Sequence, residues 1–461
     1  MAERHVIVVG QGAAGLSAAL AAAEAAREAG VAARVTVVDR AGEADAGGNS
    51  RWSPSNIRMQ SVDAMEPTFV DQVMAESGGR ADRAYFQRLA DEAPAMARRM
   101  ARLGVEFQSP PYYLAKGPAR IQPVGGGAAL LGALRDAAAA AGADLLHECA
   151  LRSLVVEDGR VAGIDCEGAG GTLRGDAVVL ACGGFEGSAA MMREQFGDAA
   201  PSMRPISPGT PFDDGAGIRA ALAAGARRAG DWNGMHAEPV DARCKGSAPV
   251  VLVYPYGIVV DRDGRRFFDE GAGLMHETWE AFARQIHFEL PGRIAYAVLD
   301  RRVMDIPDWT RAIRSDVPAW RSDTIAGLAA QMGVPAAALE RTVREYNAAA
   351  TGDASTFDAT RTDGLATAPG HAPRKSNWAR RIEAPPFLAW PLVGAIAYTF
   401  GGIETDADAR VIGARGPIPG LYAAGEVTGH FHGREPNAVS IMRALDFGRI
   451  AGHNAVRELP R

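Results

Sequence analysis

Cysteine is scarce in this chain and nowhere clustered. Its four cysteines are Cys149, Cys166, Cys182 and Cys244. None stands in C-x-x-C or C-x-x-C-H spacing, so no iron–sulfur ligand set, c-type haem attachment or disulfide framework is read. They read as small buried residues of a reducing compartment. Long apolar runs are also missing. The run nearest the start, residues 6–9, is too short for a signal-peptide core, and no twin arginine precedes it. No stretch reaches the length that spans a bilayer, so the expected compartment is the cytoplasm. Positive charge is not in excess. A formal net charge of -6 and a pI near 5.9 exclude the basic footprint of a nucleic-acid binder. No internal repeat, low-complexity tract or metal-ligand set is found.

What is present is organised around the first forty residues. With 461 residues the chain exceeds one ordinary domain, and two are expected. Its 47% hydrophobic and 23% charged residues are those of a globular protein, and 54 glycines suit an α/β fold with many tight turns. His5-Val6-Ile7-Val8-Val9 is a β-branched run. Gly10-Gln11-Gly12-Ala13-Ala14-Gly15 follows, then an Ala-rich helix over 16–28 and a second apolar run, 34–38, ending at Asp39. This strand–turn–helix–strand–acid unit predicts dinucleotide binding. Gly10 permits the tight turn. Gly12 lacks a Cβ, so a pyrophosphate can approach the backbone. Gly15 lets the helix pack on the strands. Helix N–H groups face the phosphates, and Asp39 accepts from a ribose. Next comes Gly47-Gly48-Asn49-Ser50-Arg51-Trp52-Ser53, which reads either as an ordinary turn or as a loop whose backbone lies against the cofactor.

Two further stretches complete a pattern. Ala177-Val178-Val179-Leu180-Ala181-Cys182-Gly183-Gly184-Phe185 is a strand ending in small residues, and Gly420-Leu421-Tyr422-Ala423-Ala424-Gly425-Glu426-Val427-Thr428-Gly429 is a strand leading to an acid. With Gly10 to Gly15, Asp39 and the Gly47 to Ser50 loop, they resemble the flavoprotein superfamily of fumarate reductases, succinate dehydrogenases and 3-ketosteroid dehydrogenases, over nearly the whole chain. The loop and Phe447-Gly448-Arg449-Ile450-Ala451-Gly452 look most like the tricarballylate dehydrogenases. The resemblance implies an α/β fold: a Rossmann-type FAD-binding domain (glutathione-reductase-like), residues 1–231 and 387–461, with an inserted α+β capping domain, residues 232–386, which holds five of the seven tryptophans. It implies FAD contacts from Gly10, Gly12, Ala13, Ala14, Gly15, Asp39, Arg40, Gly47, Gly48, Asn49 and Ser50. Further contacts are implied from Ala150, Ala181, Gly183, Asp214, Gly425, Glu426, Asn437, Ala438, Val439 and Ser440. No histidine stands beside Gly47-Gly48, so the FAD is expected to be non-covalent.

Between these motifs, apolar spacing predicts helices over 68–74, 83–100, 128–141 and 218–224. Residues 145–156 and 161–166, joined by Asp158-Gly159, read as a β-hairpin. Asp213-Asp214-Gly215 serves equally as a flavin-side contact or a helix N-cap. Thr, Ala, Asp, Gly and Pro over 351–374 read as a surface loop.

Flavin chemistry at a C–C bond needs a group that acidifies the proton to be lost, cations or donors that hold that group, and a base within reach. In the superfamily, arginines and histidines at the flavin–cap interface supply these. The candidates here are Arg434 for a substrate carboxylate, and His432, His236, His276 and Tyr398. His430, His432, His276 and Tyr398 each have an alternative as packing or structural hydrogen-bonding groups. Arginine is absent from Leu274-Met275-His276-Glu277-Thr278-Trp279, where fumarate reductases place their proton donor. Ala397-Tyr398 stands where they carry histidine. The expected activity is therefore dehydrogenation to, or reduction of, an alkene beside a carboxylate or carbonyl of a small molecule, with hydride passing between a substrate carbon and flavin N5. Alternatives are a flavin-dependent oxidase or tailoring enzyme, or a 3-ketosteroid-type dehydrogenase. Without internal redox-metal ligands, electrons are expected to pass to a separate acceptor or donor.

Overall fold

The opening apolar run forms β1 (Arg4–Val9), in which Val6, Ile7 and Val8 are fully buried. The computed structural model describes residues 4–168 and 170–458. Helix α1 (Ala13–Ala29) follows β1 without a spacer, and β2 (Ala33–Val38) returns parallel to β1. The glycine turn works sterically as expected. A Cβ on Gly15 would lie 1.8 Å from the Gly10 carbonyl oxygen, so helix and strand pack at a distance only glycine allows.

A six-stranded sheet carries this unit, in the order Arg410–Gly413, Gly416–Ala423, Ala177–Leu180, β1, β2, Asp144–Leu146. Its neighbours are parallel except for the edge hairpin Arg410–Gly413 with Gly416–Ala423. The last helix, Ser440–Arg457, lies on α1 at very short range. A Cβ on Gly448 would come within 2.3 Å of the Ala14 carbonyl oxygen, and one on Gly452 within 2.0 Å of that of Ala18. Two glycines four apart clear one helix face, and the small residues of α1 fill the other side.

The second sheet is built around the long strand Phe387–Thr399. Met235–Asp241, Ala295–Leu299 and Trp320–Ser322 pair with it antiparallel, Arg204–Pro205 parallel, and Ile258–Val260 joins through Ala295–Leu299. The helix Met275–Phe288 covers this sheet with Trp279, Phe282 and Ile286 buried. Here the structure departs from the boundaries at 232 and 386. Both Arg204–Pro205 and Phe387–Thr399 belong to the second sheet. Phe387–Thr399 falls in the span read as the returning first domain, yet it is the central strand of the second sheet.

Two local readings also change. Gly47-Gly48-Asn49-Ser50 is not an open loop: Gly48–Trp52 forms a short helix, α2, entered through Gly47 at φ 119°. Residues 145–156 are not one strand. Asp144–Leu146 ends the main sheet, Glu148 turns at φ 54°, and Cys149–Glu157 starts a separate three-stranded sheet. The Asp158-Gly159 hairpin tip is as expected, both residues having positive φ. The other expected helices, Phe69–Glu76, Arg83–Arg102, Gly126–Ala140 and Ala216–Ala223, lie within two residues of their expected ends.

Candidate functional site

A cleft opens beyond the carboxyl ends of β1, β2 and Ala177–Leu180, the position where doubly wound sheets bind nucleotides. Gly10, Gly12, Ala13, Ala14, Asp39, Arg40, Gly47, Gly48, Asn49, Ser50, Ala150, Ala181, Gly183, Asp214, Gly425 and Glu426 line it. The Asp39 carboxylate is fixed by the backbone N–H groups of Gln11 at 2.8 Å and Ala41 at 2.9 Å. Arg40 pairs with Asp214 at 2.6 Å, while Asp214 also accepts from Ala216 N at 3.0 Å. Asp214 is not the N-cap of Ala216–Ala223, a place taken by Gly215, but it lines the cleft one residue before that cap. Gly12 offers no side chain to cap α1, and the nearest atom to a Cβ built on it is Ser50 Oγ at 3.4 Å. The space above that helix terminus is thus cleft rather than protein. Gly15 does not line the cleft; it supports the turn from below.

At the floor of the cleft three carboxylates meet, Glu186 and Asp213 buried and Glu426 partly exposed. Oxygens of Glu186, Asp213 and Glu426 lie within 4.8 Å of one another. The Asn49 amide nitrogen is 3.0 Å from Glu186 Oε1, 3.0 Å from Asp213 Oδ2 and 2.9 Å from the Ala397 carbonyl oxygen. Burial, and then repulsion from Glu426, hold Glu186 and Asp213 well above the usual carboxylate range. Burial also raises Glu426, whose Oε1 accepts from Thr399 N at 2.9 Å. Protons and the Asn49 amide offset what three clustered charges would otherwise cost.

A second cavity joins the first through Asn49, Ser50, Glu426 and Ala444, which line both. His236 stands in its wall, on Met235–Asp241, opposite Tyr398 in the antiparallel ladder. Their rings stack at 4.9 Å between centroids. His236 Nδ1 is 2.9 Å from Glu280 Oε1 and 3.8 Å from Glu435 Oε2, and Nε2 is 3.4 Å from Glu238 Oε1. Burial opposes a charge on this imidazole, but Glu435, Glu238 and Glu280 outweigh it and raise its pKa well above the usual histidine value.

The folded pKa is the higher one, so this stabilisation is complete below the unfolded value of about 6.5. It is lost as pH rises through the folded value. The melting temperature of His236→Gln should therefore lie furthest below wild type at mildly acid pH and converge on it as pH rises. A gap independent of pH would show that the imidazole is not charged.

The other catalytic candidates are placed elsewhere. Arg434 does not line the cavity; its Nη2 is 3.9 Å from Glu76 Oε1. His432 also lies off the cavity, and burial and then Arg80 lower its pKa. His276 packs edge-on to Tyr112 at 5.0 Å, and burial lowers it to about 4. His430 stacks on Tyr85 at 3.6 Å and pairs with Thr405 Oγ1 at 2.8 Å, which is a structural position. Asn437, Ala438 and Ser440 line the cavity, whereas Val439 is buried in the core.

Several lining groups escaped the sequence reading. Arg120 is 8% exposed, and its Nε has no partner. Its guanidinium sits 4.5 Å and 4.9 Å from the ring centres of Tyr112 and Tyr113. Glu238, Glu435, Trp279, Arg314 and Arg443 also line the cavity. Of these, Glu435 stands next to the candidate Arg434 and Arg443 three residues after Ser440, so only their closeness in sequence to expected contacts could have pointed to them.

The FAD binding domain family matches residues 5–439. The NADH:acrylate oxidoreductase of Vibrio harveyi is 31% identical over 324 residues, 66% of this chain; the match spans only 29% of that protein. The fumarate reductase (cytochrome) of Shewanella frigidimarina is 28% identical over 478 residues, 98% of this chain and 77% of its own. The open conformation of a flavocytochrome c3 fumarate reductase superposes with a TM-score of 0.79 at 26% identity, covering all of this chain and 79% of that one. A Rossmann-type fold, a cleft whose glycines leave room for a pyrophosphate and these relatives agree: the chain belongs to the FAD binding domain family, as an FAD-dependent oxidoreductase of the CH–CH type.

Proposed function

We propose that the second cavity binds a small molecule carrying a carboxylate or carbonyl next to a carbon–carbon bond, and that the enzyme interconverts the alkane and alkene there. The observation that carries this reading is Arg120. A buried guanidinium with an unpartnered Nε lines a cavity continuous with the FAD cleft. Such a cation holds a carboxylate, or polarises a carbonyl, so that the adjacent C–H becomes more acidic. The glycine turn, Asp39 and Glu426 would hold FAD, which when bound would supply the hydride exchange.

Proton exchange falls to Tyr398 in this reading. Its buried hydroxyl has no partner in hydrogen-bond geometry and lines the same cavity. Burial, and then the Glu435 carboxylate, keep the phenol protonated well above its usual range, so it donates to a substrate oxygen or carbon. The charged His236 ring stacked on it holds a proton in reserve. Arg434 and His432 have no part here because neither reaches the cavity. Tricarballylate is disfavoured, since a trianion would face Glu238 and Glu435. Electrons pass to or from a separate carrier, and the compartment is the cytoplasm.

Two expected results test the reading. Denaturing the yellow protein should release FAD into the supernatant; no histidine lines the cleft among the described residues, and flavin left on the chain would contradict non-covalent binding. In the absence of oxygen, unsaturated carboxylates or enones should reoxidise the reduced flavin, or their saturated partners should reduce the oxidised one. A fully loaded protein inert to the whole panel, but rapidly reoxidised by oxygen, would favour an oxidase.

A further inference from the structure

The cavity wall around His236 holds more carboxyl groups than that residue can pair with, and burial pushes one of them, Glu435, above the usual carboxylate range. Glu238, Glu280 and Glu435 stand within 2.9 to 3.8 Å of a single imidazole. Glu280 is absorbed by its short contact to Nδ1, leaving Glu238 and Glu435 on the lining. Their side chains are 16% and 8% exposed. Buried carboxylates are retained where a counter-charge or several donors meet them. The nearby cations do not do this. Arg443 donates to Thr428 and lies over Phe431, Arg314 is an exposed residue, Arg434 faces Glu76, and no pairing connects Arg120 to either acid.

Two further features of the same cavity point to a ligand. Trp279 and Tyr398 flank His236 with ring centres 5.9 Å and 4.9 Å away, and both line the cavity beside the two acids. Aromatic walls next to carboxylates are the surroundings in which ammonium groups bind. Unpartnered buried polar atoms also belong to lining residues on other segments: Arg120 Nε, Arg443 Nε, Asn56 Oδ1, Ser247 Oγ and Tyr398 Oη. Buried polar atoms are rarely left unsatisfied, so a ligand with both donors and acceptors suits this lining better than a plain hydrocarbon acid.

We propose that the substrate carries a cationic nitrogen as well as its carboxylate or carbonyl. The nitrogen is held between Glu238, Glu435 and the faces of Trp279 and Tyr398, and the acidic group is held by Arg120. This rests on the reading of the cavity as the substrate site, and it adds the class: an amino acid or amino ketone of small size rather than a simple or polycarboxylic acid.

The test is equilibrium binding to the FAD-loaded enzyme, followed by the flavin absorbance change. A chain-length series of ω-amino acids is compared with the matching plain acids. The best amino acid should bind at least about tenfold more tightly than its plain partner, the scale expected when a charged contact is made in a partly desolvated site. In Glu435→Gln and in Glu238→Gln that ratio should fall towards one. Both changes keep shape, and FAD content and melting temperature verify the fold. Plain acids binding as well as amino acids to the wild type would overturn the proposal. So would equal weakening of both series in the variants, which would mark the acids as structural. Turnover is read separately, with reduced benzyl viologen as electron donor and the corresponding unsaturated acids. Amine-selective binding without any turnover would sink the proposed reaction and leave the cation pocket standing.

Discussion

Gly12→Val should yield a folded but colourless protein. The backbone at Gly12 is extended, with φ -71° and ψ -176°, a conformation that suits a β-branched residue. The nearest protein atoms to a new Cβ are Ser50 Oγ at 3.4 Å and the Gly47 carbonyl oxygen at 3.7 Å, so nothing in the chain is displaced. The added methyl groups project into the cleft over the start of α1, the space a pyrophosphate must occupy. Forcing extra methyl groups against packed atoms costs about 1–3 kcal/mol, and against a rigid phosphate the upper end applies. That is a loss of roughly 10- to 100-fold or more in FAD affinity, and with it all redox activity. Gly15→Ala should behave in the opposite way, failing in folding rather than in binding, because its Cβ would collide with the Gly10 carbonyl oxygen. Flavin absorbance per protein chain, together with the melting curve, separates the two. Stoichiometric FAD on folded Gly12→Val would refute the assignment of the glycine turn.

The contrast between these two glycines shows what could be read in the sequence. A turn, a helix N-terminus and the acid that follows are set by local backbone constraints, and the chain order of β1, α1 and β2 is the order of the motif. The FAD cleft is legible for that reason, although of the expected contacts Gly15 and Val439 are packed away from it and Asn437, Ala438 and Ser440 line the second cavity instead. The substrate cavity is assembled differently. His236 meets Tyr398 only because two distant strands pair, and Glu280 joins them from a helix packed on that sheet. Arg120 lies on an irregular segment with no periodicity to mark it. Arg434 lies close in sequence to Asn437, but the turn at Gly433 with φ 71° sends its side chain towards Glu76. Its neighbour Glu435 faces the cavity instead. The alternation of inward and outward residues along such a turn depends on tertiary contacts that composition and spacing do not encode.

Arg120→Ala should reduce kcat/KM by about 30-fold to several thousandfold, corresponding to about 2–5 kcal/mol lost when one partner of a buried, charge-assisted contact is removed. Several features separate this arginine from the others near the site. Its Nε is buried without a partner, as is that of Arg443, but Arg443 also donates from Nη1 to the Thr428 carbonyl oxygen at 3.1 Å, whereas among the described residues the one hydrogen bond of Arg120 is a long one of 3.5 Å from Nη2 to the Pro111 carbonyl oxygen. Tyr112 and Tyr113 hold the guanidinium plane from the side, so it is already ordered before a substrate arrives. Lys in its place would keep the charge but lose the planar fork, and Arg120→Lys should recover only a small part of the loss. Arg434→Ala is the informative comparison. Its partner is Glu76 at 3.9 Å, with side chains 35% and 19% exposed, and a long, partly exposed pair of this kind contributes about 0–1 kcal/mol, so its kcat/KM should fall by less than about fivefold. FAD content should be retained in all three variants, because neither arginine lines the FAD cleft. Stopped-flow flavin oxidation or reduction with the best substrate of the carboxylate and enone panel provides the comparison. If Arg120→Ala reacts at the wild-type rate while Arg434→Ala is crippled, the guanidinium that holds the substrate is Arg434 after all. Its side chain would then have to leave Glu76 and swing into the cavity when substrate binds.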